Sequence, residues 1–561
     1  MSERPFPDEQ AFNQSPPFQD VNLFTSDTAL QEAVRREGAA SAYEDLSTFG
    51  ALAGSAASLE LGRLANEHPP QLESFDPRGD RIDHVEFHPA YHQLMAISTA
   101  QGLHCSTWEH LLSGTRPKPG AHVARCAGSY MAAQMEAGHC CPITMTHAAV
   151  ASLPHAPGIA RDLVPKIVCR SYDSGIAPIG EKSAITLGMG MTERQGGTDV
   201  RANTTRAEPV DGRGVGKAYG ITGHKWFLSA PMSDAFLLLA QAEGGLSCFL
   251  LPRLTTNGAL NGLKLQRLKD KLGNRSNASV EVEFDRAEGL LVGEEGRGIP
   301  TIIDMVTLTR LDCAVSSAGL MRLALARAIH HAHHRSVFQR RLIDQPLMAQ
   351  VLADMALDVE AATALAFRLA RAFDCEDASE VAYRRLMTPV TKYWVCKTAP
   401  SLAYEAMECL GGNGYVEDGG FPRLYREVPV NAIWEGSGNV MCLDVLRVVE
   451  REPDAFDKVL AEIEMAGVAE PRLKEALTRI KALARDVGRD QTTARTLVEL
   501  LALAGAASLL ASDAPHAMSD AFLATRLQGS WRNTYGAGIA HADTRAIVAR
   551  AAPQPSVKTR S

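Results

Sequence analysis

A glycine-rich stretch that also carries two carboxylates stands near the middle of the sequence: GMGMTERQGGTDV, residues 188–200. Its adjacent glycines at 196 and 197 allow a tight turn or a close approach of the backbone to a ligand. A nucleotide phosphate loop is excluded, because neither G-x-G-x-x-G nor G-x-x-x-x-G-K-[ST] is present and Glu193 stands where the third Rossmann glycine would be. The stretch therefore predicts a loop that approaches a different ligand.

Histidines and cysteines are the other residues that could do chemistry. The run HHAHH at 330–334 has histidines three and four residues apart, which could hold a metal, but we expect a solvated helix face and no metal. The eleven cysteines include no C-x-x-C pair, which is typical of a reducing compartment rather than a disulfide scaffold. We therefore expect a cytoplasmic protein.

Length and composition indicate the class of protein to which these residues belong. The chain has 561 residues, of which 45% are hydrophobic and 22% charged, so we expect a globular protein of two to four domains. The net charge of −8 gives no bulk indication of nucleic-acid binding. The N-terminus has no apolar signal region. The longest apolar run, near 497–511, contains Glu499 and is shorter than the roughly 20 residues of a membrane span, so we expect no membrane partner.

The hydrophobic period changes along the chain and divides it. Helical spacing is interrupted at 68–80, where we expect a loop, and it gives way to strict alternation at Val280, Val282 and Phe284, which predicts a half-buried strand. Helical spacing then returns, with an apolar stripe that begins at Leu473. The predicted divisions are an N-terminal arm at 1–27, an α-helical domain at 28–183, a β domain at 184–292, a helical bundle at 293–450 and an added helical segment at 451–561.

Two long motifs carry a family resemblance. Residues 190–202, GMTERQGGTDVRA, match every position of the first acyl-CoA dehydrogenase signature, and residues 408–427, ECLGGNGYVEDGGFPRLYRE, match every position of the second. The chain therefore resembles the acyl-CoA dehydrogenase family. Its N-terminal arm, the stretch WEGSGNVMCLDVLR and the added C-terminal segment are similar to the AidB-type branch, which is associated with the adaptive response to DNA alkylation. The resemblance implies an α+β multidomain fold, with an N-terminal helical domain, a central antiparallel β domain and a C-terminal helical bundle.

The resemblance also implies a non-covalent FAD, because in this family the glycine-rich loop lies against a flavin. The second flavin wall would come from GHKWFLSA, where Phe227 takes the position of a more usual Trp and Trp226 is one position off. Segments around Arg335 and Gly411 would clamp the ADP half of a neighbouring subunit's flavin, which implies a homotetramer. Glu408, where the family usually has Gln, puts part of that contact in doubt. The implied flavin contacts are Met189, Gly190, Met191, Thr192, Gly197, Thr198, Phe227, Leu228, Ser229, Arg335, Phe338, Gly411, Gly412, Trp434, Gly436, Ser437 and Asn439.

The implied chemistry is the dehydrogenation of an acyl-CoA. A carboxylate removes the α-proton while a hydride leaves the β-carbon for the flavin, and the carboxylate must be poised by its surroundings. Glu435 in IWEGSGN aligns with the catalytic glutamate of the family, and apolar neighbours would raise its pKa. Some relatives place the base on an earlier helix, but this chain has Thr309 there. Thr198 and Arg310 would contact the substrate.

A basic excess in the added segment leaves two functions open. Residues 451–561 hold 15 Lys and Arg against 13 Asp and Glu, whereas the rest of the chain is acidic. One reading is an AidB-type flavoprotein that also binds duplex DNA non-specifically through phosphate contacts and protects it during the alkylation response. The other is a catabolic dehydrogenase for a short or branched acyl-CoA, without DNA binding. The predicted DNA contacts are Arg447, Lys474, Lys481, Arg526 and Arg532.

Overall fold

A computed structural model describes residues 13–466, 470–486, 491–528, 535 and 542–553. The chain forms two compact units, each discontinuous in sequence. We call residues 57–121 and 135–312 the β unit, and residues 1–56, 122–134 and 313–561 the helical unit. The predicted divisions follow changes in secondary structure, whereas the units follow packing. A helical period shows which face is buried but not which distant segment covers it.

The described residues form helices along most of the chain. In chain order these are α1 Thr28–Arg36, α2 Tyr43–Ala53, α3 Ala56–Glu67, α4 Pro89–Ala100, α5 His110–Ser113, α6 Ala121–Met135, α7 Cys140–Ala149, α8 Pro157–Ile167, α9 Gly298–His334, α10 Pro346–Arg371, α11 Ala378–Cys409, α12 Gly412–Tyr415, α13 Phe421–Glu427, α14 Gly438–Arg451, α15 Pro453–Ala466, α16 Pro471–Asp486, α17 Ala494–Asp513, α18 His516–Phe522 and α19 Thr544–Ala551.

The strands concentrate in the β unit. They are β1 Gln71–Phe75, β2 Arg81–Glu86, β3 Leu187–Gly190, β4 Arg206–Pro209, β5 Ala218–Ser229, β6 Ala235–Ala242, β7 Gly245–Pro252, β8 Leu263–Leu268, β9 Ser279–Val292, β10 Ser336–Val337 and β11 Arg340–Arg341. Strands β3 to β9 form one sheet in the order β3-β5-β4-β6-β7-β9-β8, with further pairings β3–β6 and β5–β9. Most of these pairs are antiparallel as predicted, but β3–β6 and β4–β6 run parallel.

The predicted strand around residue 282 is confirmed. Val280, Val282 and Phe284 are buried within β9, because alternate side chains of a strand point to the same face of the sheet. The predicted loop at 68–80 is wrong in part. Strands β1 and β2 form an antiparallel hairpin there, and the Asp76 carboxylate accepts hydrogen bonds from the N–H groups of Arg78 and Asp80 in its turn. Proline, glycine and aspartate mark the turn but hide the short strands on either side.

The helical unit is built around long buried helices. α17 packs against α10, α11 and α16, and the predicted stripe of α16 is buried at Leu473, Leu477 and Ile480. By length and by its mean hydropathy of 1.5, the segment Gln491–Asp513 is apolar enough to cross a membrane, but 67% of its most apolar window is buried inside the protein. This burial is that of a core helix. α19 is fastened by Arg550, whose guanidinium pairs with Glu360 and Glu32.

Candidate functional site

The buried carboxylate of Glu193 holds the glycine-rich loop of the β unit in place. Both side chains of the Glu193–Lys225 ion pair are fully buried, with Lys225 Nζ 2.9 Å from Glu193 Oε1. The same carboxylate accepts hydrogen bonds from the N–H groups of Thr204 at 2.7 Å and Thr205 at 3.1 Å. Burial alone would raise the pKa of Glu193, but these N–H groups and the ammonium lower it well below its ordinary value. Glu193 therefore carries a fixed charge that ties the loop to strand β5 and to the two residues that precede strand β4.

The exposed part of this loop combines two glycines and a threonine with the longer polar side chains of Arg194, Gln195 and Asp199. Strand β3 ends at Gly190, Met191 and Thr192 are half-buried, and residues 194–199 are exposed, including Thr198. A Cβ atom at Gly197 would lie 2.3 Å from the Thr192 hydroxyl, so only glycine fits there without moving Thr192. The loop thus exposes peptide groups and the Thr198 hydroxyl together with those longer polar side chains.

A β-bulge shapes the neighbouring stretch of strand β5. The register with β9 shifts between Lys225 and Leu228, which inserts an extra residue and changes the alternation of buried and exposed side chains. Leu228 is fully buried, Phe227 is 46% exposed, and the ring of Trp226 is covered by the Lys269 ammonium at 3.5 Å. Ser229 pairs in register with Met189 of β3. Phe227 is therefore the more exposed of the two aromatics, although the Lys269 ammonium also lies 4.6 Å from the centre of its ring.

The predicted catalytic segment lies in the helical unit and has an unusual backbone. Glu435 has a φ of +57° and Gly436 a φ of +102°, and a left-handed conformation is uncommon for a glutamate. The buried Lys392 ammonium of α11 donates to the carbonyl oxygens of Asn431 at 2.9 Å and Gly436 at 2.8 Å. The half-buried Trp434 indole donates to Asn431 Oδ1 at 2.9 Å. Lys392 and Asn431 together hold the Glu435 carboxylate on a turn of fixed shape.

Asn439, in the first turn of α14, has a partner that the sequence did not suggest. Arg495, at the start of α17 in the added segment, donates from Nε at 2.9 Å and from Nη2 at 2.7 Å to Asn439 Oδ1. Ser437 precedes α14 as its N-cap residue and is exposed. The added C-terminal helices therefore contact the segment that follows Glu435.

The residues predicted to clamp a neighbouring flavin are open in this single chain. Phe338 is 92% exposed and has a φ of +50°, while Gly411 has a φ of +58° and is exposed beside Gly412. Arg335 is half-buried and donates from Nη1 to the Asn13 carbonyl at 2.8 Å. An exposed aromatic ring on a strained backbone is a feature that a ligand or a second subunit can cover.

The predicted substrate residue Arg310 lies on α9 and is buried, with only 8% of its surface exposed. Its neighbour Thr309 is also buried, and its hydroxyl donates to the Val306 carbonyl at 2.9 Å, which is a local helix contact. Arg310 is therefore enclosed by protein in this structure.

The residues predicted to contact DNA differ in their exposure to solvent. Arg447, Lys474 and Lys481 are exposed, as a DNA contact requires, although Lys481 Nζ lies 3.4 Å from Glu464. The prediction for Arg526 is wrong. Its guanidinium is buried and pairs with Asp354 at 2.5 Å and Asp358 at 3.0 Å, so it neutralises core carboxylates. Arg532 lies outside the described residues.

Lys225, Lys392 and Arg495 are the site residues that sequence reasoning missed. Each of them binds a residue of a predicted motif from another strand or helix. The sequence around a lysine or arginine does not show which distant carbonyl or carboxylate its side chain will bind. The described ranges contain no group of three or more His, Cys, Asp or Glu side chains that could hold a metal ion.

Comparisons with known proteins agree with this architecture. Residues 13–174 match the Adaptive response protein AidB N-terminal domain, residues 188–287 the acyl-CoA dehydrogenase middle domain and residues 296–450 the acyl-CoA dehydrogenase C-terminal domain. The chain is 49% identical over 488 residues to the putative acyl-CoA dehydrogenase AidB of Escherichia coli, which covers 86% of this chain and 88% of that protein.

A second relative and its solved structure extend the likeness. The chain is 33% identical over 452 residues to acyl-CoA dehydrogenase family member 11 of Caenorhabditis elegans, covering 76% of this chain and 70% of that one. The solved structure of Caenorhabditis elegans ACDH-11 in complex with C11-CoA superposes with a TM-score of 0.83 at 29% identity, over 94% of this chain and 95% of that one.

The chain belongs to the acyl-CoA dehydrogenase family of FAD-dependent oxidoreductases, in which the flavin is held without a covalent bond. Its N-terminal domain places it in the AidB-type branch. The residues present fit this cofactor. A loop whose Gly197 cannot accept a Cβ, with an exposed Phe227 on the adjoining strand, suits a planar ring system and its polar edge.

Proposed function

We propose that the protein dehydrogenates an acyl-CoA thioester, with Glu435 as the base that removes the α-proton. The position of Glu435 on its turn carries this proposal. Left-handed backbone at a glutamate is unfavourable by about 1–3 kcal/mol, and such strain persists where the surrounding structure holds a side chain in place for function. Lys392 does this here by binding the carbonyls on both sides of Glu435.

The residues of the chain have separate tasks in this reaction. FAD, when bound, supplies the two-electron acceptor for the hydride of the β-carbon. Glu435 accepts the α-proton, so that the two carbons become joined by a double bond and the carboxylate becomes a carboxylic acid. The peptide groups and hydroxyls of residues 191–198 hold the polar edge of the flavin, and Phe227 contacts its ring. The C11-CoA complex of the Caenorhabditis elegans relative supports an acyl-CoA substrate for this chain.

Substitution of the base tests this function. In Glu435→Gln the side chain keeps its shape but cannot take a proton, so flavin reduction by an acyl-CoA should fall at least about 10²-fold with normal flavin content. Glu450→Gln, at an exposed position of α14, is the matched control and should reduce its flavin at the parent rate. Reduction of Glu435→Gln at the parent rate would assign the base to another residue.

We also propose that the protein binds duplex DNA non-specifically through the added helical segment, as part of an alkylation response. Support comes from α16, where Lys474, Lys481 and Arg485 are exposed while Leu473, Leu477 and Ile480 are buried. Lys474, Lys481 and Arg485 are spaced by seven and four residues, so they share one face of the helix. Arg447 of α14 is exposed as well. Phosphate contacts from such a face carry no sequence information.

Charge reversal tests the DNA proposal. The triple variant Arg447→Glu, Lys474→Glu, Lys481→Glu should bind every duplex more weakly and should flatten the dependence of log K on log salt. The control reverses the same number of exposed charges elsewhere, at Arg78, Arg116 and Lys118. Equal loss of affinity in both triple variants would show bulk charge to be responsible, and unchanged binding in the first would favour the catabolic dehydrogenase without DNA binding.

We propose that the working form is a homotetramer in which a second subunit covers Phe338 and the Gly411–Gly412 turn. The 92% exposure of the Phe338 ring in a single chain supports this. Analytical ultracentrifugation of the parent should give four chains per particle, and Phe338→Asp should lower that number together with the flavin content. A monomeric parent with a full complement of flavin would contradict the proposal.

A further inference from the structure

Arg327 of α9 is a charged side chain that has no counter-ion among the residues that the structure describes. It is half-buried, and its Nε is shielded from solvent and has no hydrogen-bond partner. Among the described residues, no Asp or Glu carboxylate lies within ion-pairing distance of it. In proteins, buried cations are almost always paired or hydrogen-bonded, so an exception requires an explanation.

A second arginine without an acidic partner among the described residues lies near Arg327. Arg423, in the first turn of α13, is also half-buried. Burial, reinforced by the positive charge of Arg423, lowers the pKa of Arg327 to about 10. Gly420, the N-cap residue of α13, adopts a φ of +66°, and a Cβ there would lie 3.5 Å from Arg327 Nη1. Arg327 Nη1 therefore lies beside Gly420, and Arg423 follows Gly420 by three residues.

This arrangement of two cations is unfavourable by itself. Removing a cation from water without a partner is costly, and a second cation nearby adds repulsion. An anion bound between the two arginines would give each cation a partner and would replace their mutual repulsion by attraction. A guanidinium donates parallel N–H groups that match the oxygens of phosphates and carboxylates, and two such groups favour an anion with more than one negative charge.

We propose that Arg327 and Arg423 form a binding site for a phosphate-class anion. Neither residue belongs to the glycine-rich loop or to the Glu435 segment, although Arg423 stands within the second signature at 408–427. The phosphate group could belong to a free phosphate-bearing molecule or to the diphosphate of the bound cofactor. The variant Arg327→Met distinguishes these two ligands.

The test compares the flavin-loaded parent with Arg327→Met in inorganic phosphate and in chloride at equal ionic strength. Methionine keeps much of the side-chain volume but removes the charge. If a free anion is the ligand, the melting temperature of the parent rises in phosphate. Arg327→Met then shows no such rise, keeps its flavin and is at least as stable as the parent in chloride. If the cofactor's diphosphate is the ligand, the parent does not respond to phosphate and Arg327→Met loses flavin.

The control is Arg340→Met, at an exposed arginine of β11, which should behave as the parent in every arm. If Arg327→Met does not fold, Arg423→Met replaces it in the same test, because it removes the other arginine of the site. The proposal is overturned if Arg327→Met keeps its flavin and responds to phosphate as the parent does. A fall in melting temperature that is equal in both salts, with flavin retained, would also overturn it, because that is the result of lost packing alone.

Discussion

Arg495 and Asn439 are joined by two hydrogen bonds, from Nε at 2.9 Å and from Nη2 at 2.7 Å to the same Oδ1 atom. Arg495 belongs to α17 of the added C-terminal helices, and Asn439 to the first turn after the Glu435 segment. A segment that the sequence suggested only for DNA binding thus also contacts the segment that follows Glu435. The contact is exposed, so its contribution to folding is small, and its effect should be on the orientation of Asn439.

Arg495→Ala should therefore change flavin binding more than stability. We expect the melting temperature to stay close to that of the parent and the FAD dissociation constant to rise several-fold, since a hydrogen bond to a charged group contributes about 1.5–3 kcal/mol at most. Arg479→Ala, at an exposed position of α16, is the control. Equal flavin affinity in the parent and in both variants would restrict Arg495 to a surface role.

Lys392→Met should uncouple catalysis from substrate binding. The substitution removes the donor to the Asn431 and Gly436 carbonyls, so the turn of Glu435 can relax from its left-handed backbone. A misplacement of about 1 Å lowers rates by about 10²-fold, and we expect a fall of that order in kcat with a smaller change in KM. A variant with normal kcat would show that the turn holds its shape without Lys392.

Glu193→Gln should destabilise the β unit by about 3–5 kcal/mol, because it leaves the Lys225 ammonium buried without its partner. The double variant Glu193→Gln, Lys225→Met should recover part of that loss. Glu208→Gln, at an exposed position of β4, should leave stability unchanged. Denaturant unfolding monitors all three, and a double variant no more stable than Glu193→Gln would show that the ion pair is not the source of the effect.

The contribution of Glu193 should depend on pH in a defined direction. Its pKa is lowered in the folded protein from the ordinary value of 4.5, so the unfolded chain binds the proton more readily. The stability that this group contributes is complete above pH 4.5 and is lost as the pH falls below it. The difference in melting temperature between the parent and Glu193→Gln should therefore shrink as the pH falls below 4.5. A difference that grows in acid contradicts this assignment.

Gly197→Ala should lower flavin content without unfolding the protein. The new Cβ would meet the Thr192 hydroxyl at 2.3 Å, so Thr192 and the adjacent peptide groups must move. Gly180→Ala adds the same methyl group where nothing lies within 4 Å and serves as the control. Flavin content after gel filtration reports the outcome. Full flavin in Gly197→Ala would mean that the loop tolerates the shift.

The sequence allowed the elements and motifs of this protein to be predicted better than their partners. Strand β9 was predictable because alternation is local. The motifs around Glu435 and Gly197 could be recognised because each is short and contiguous. The clamp of Lys392 on the Gly436 carbonyl spans 44 residues, and no pattern in either segment announces the other. The prediction for Arg526 was wrong for the same reason, since the carboxylates of Asp354 and Asp358 with which it pairs lie about 170 residues earlier.

The central claim is that the protein uses bound FAD to dehydrogenate an acyl-CoA, and an anaerobic titration tests it most directly. Purified protein with its flavin is mixed with saturated acyl-CoAs, beginning with the eleven-carbon thioester, while the visible absorbance of the flavin is followed. We expect at least one thioester to bleach the flavin in proportion to the amount added and to yield the corresponding enoyl-CoA. A fully loaded flavin that no acyl-CoA reduces, under conditions where dithionite reduces it, would show that the protein is not an acyl-CoA dehydrogenase.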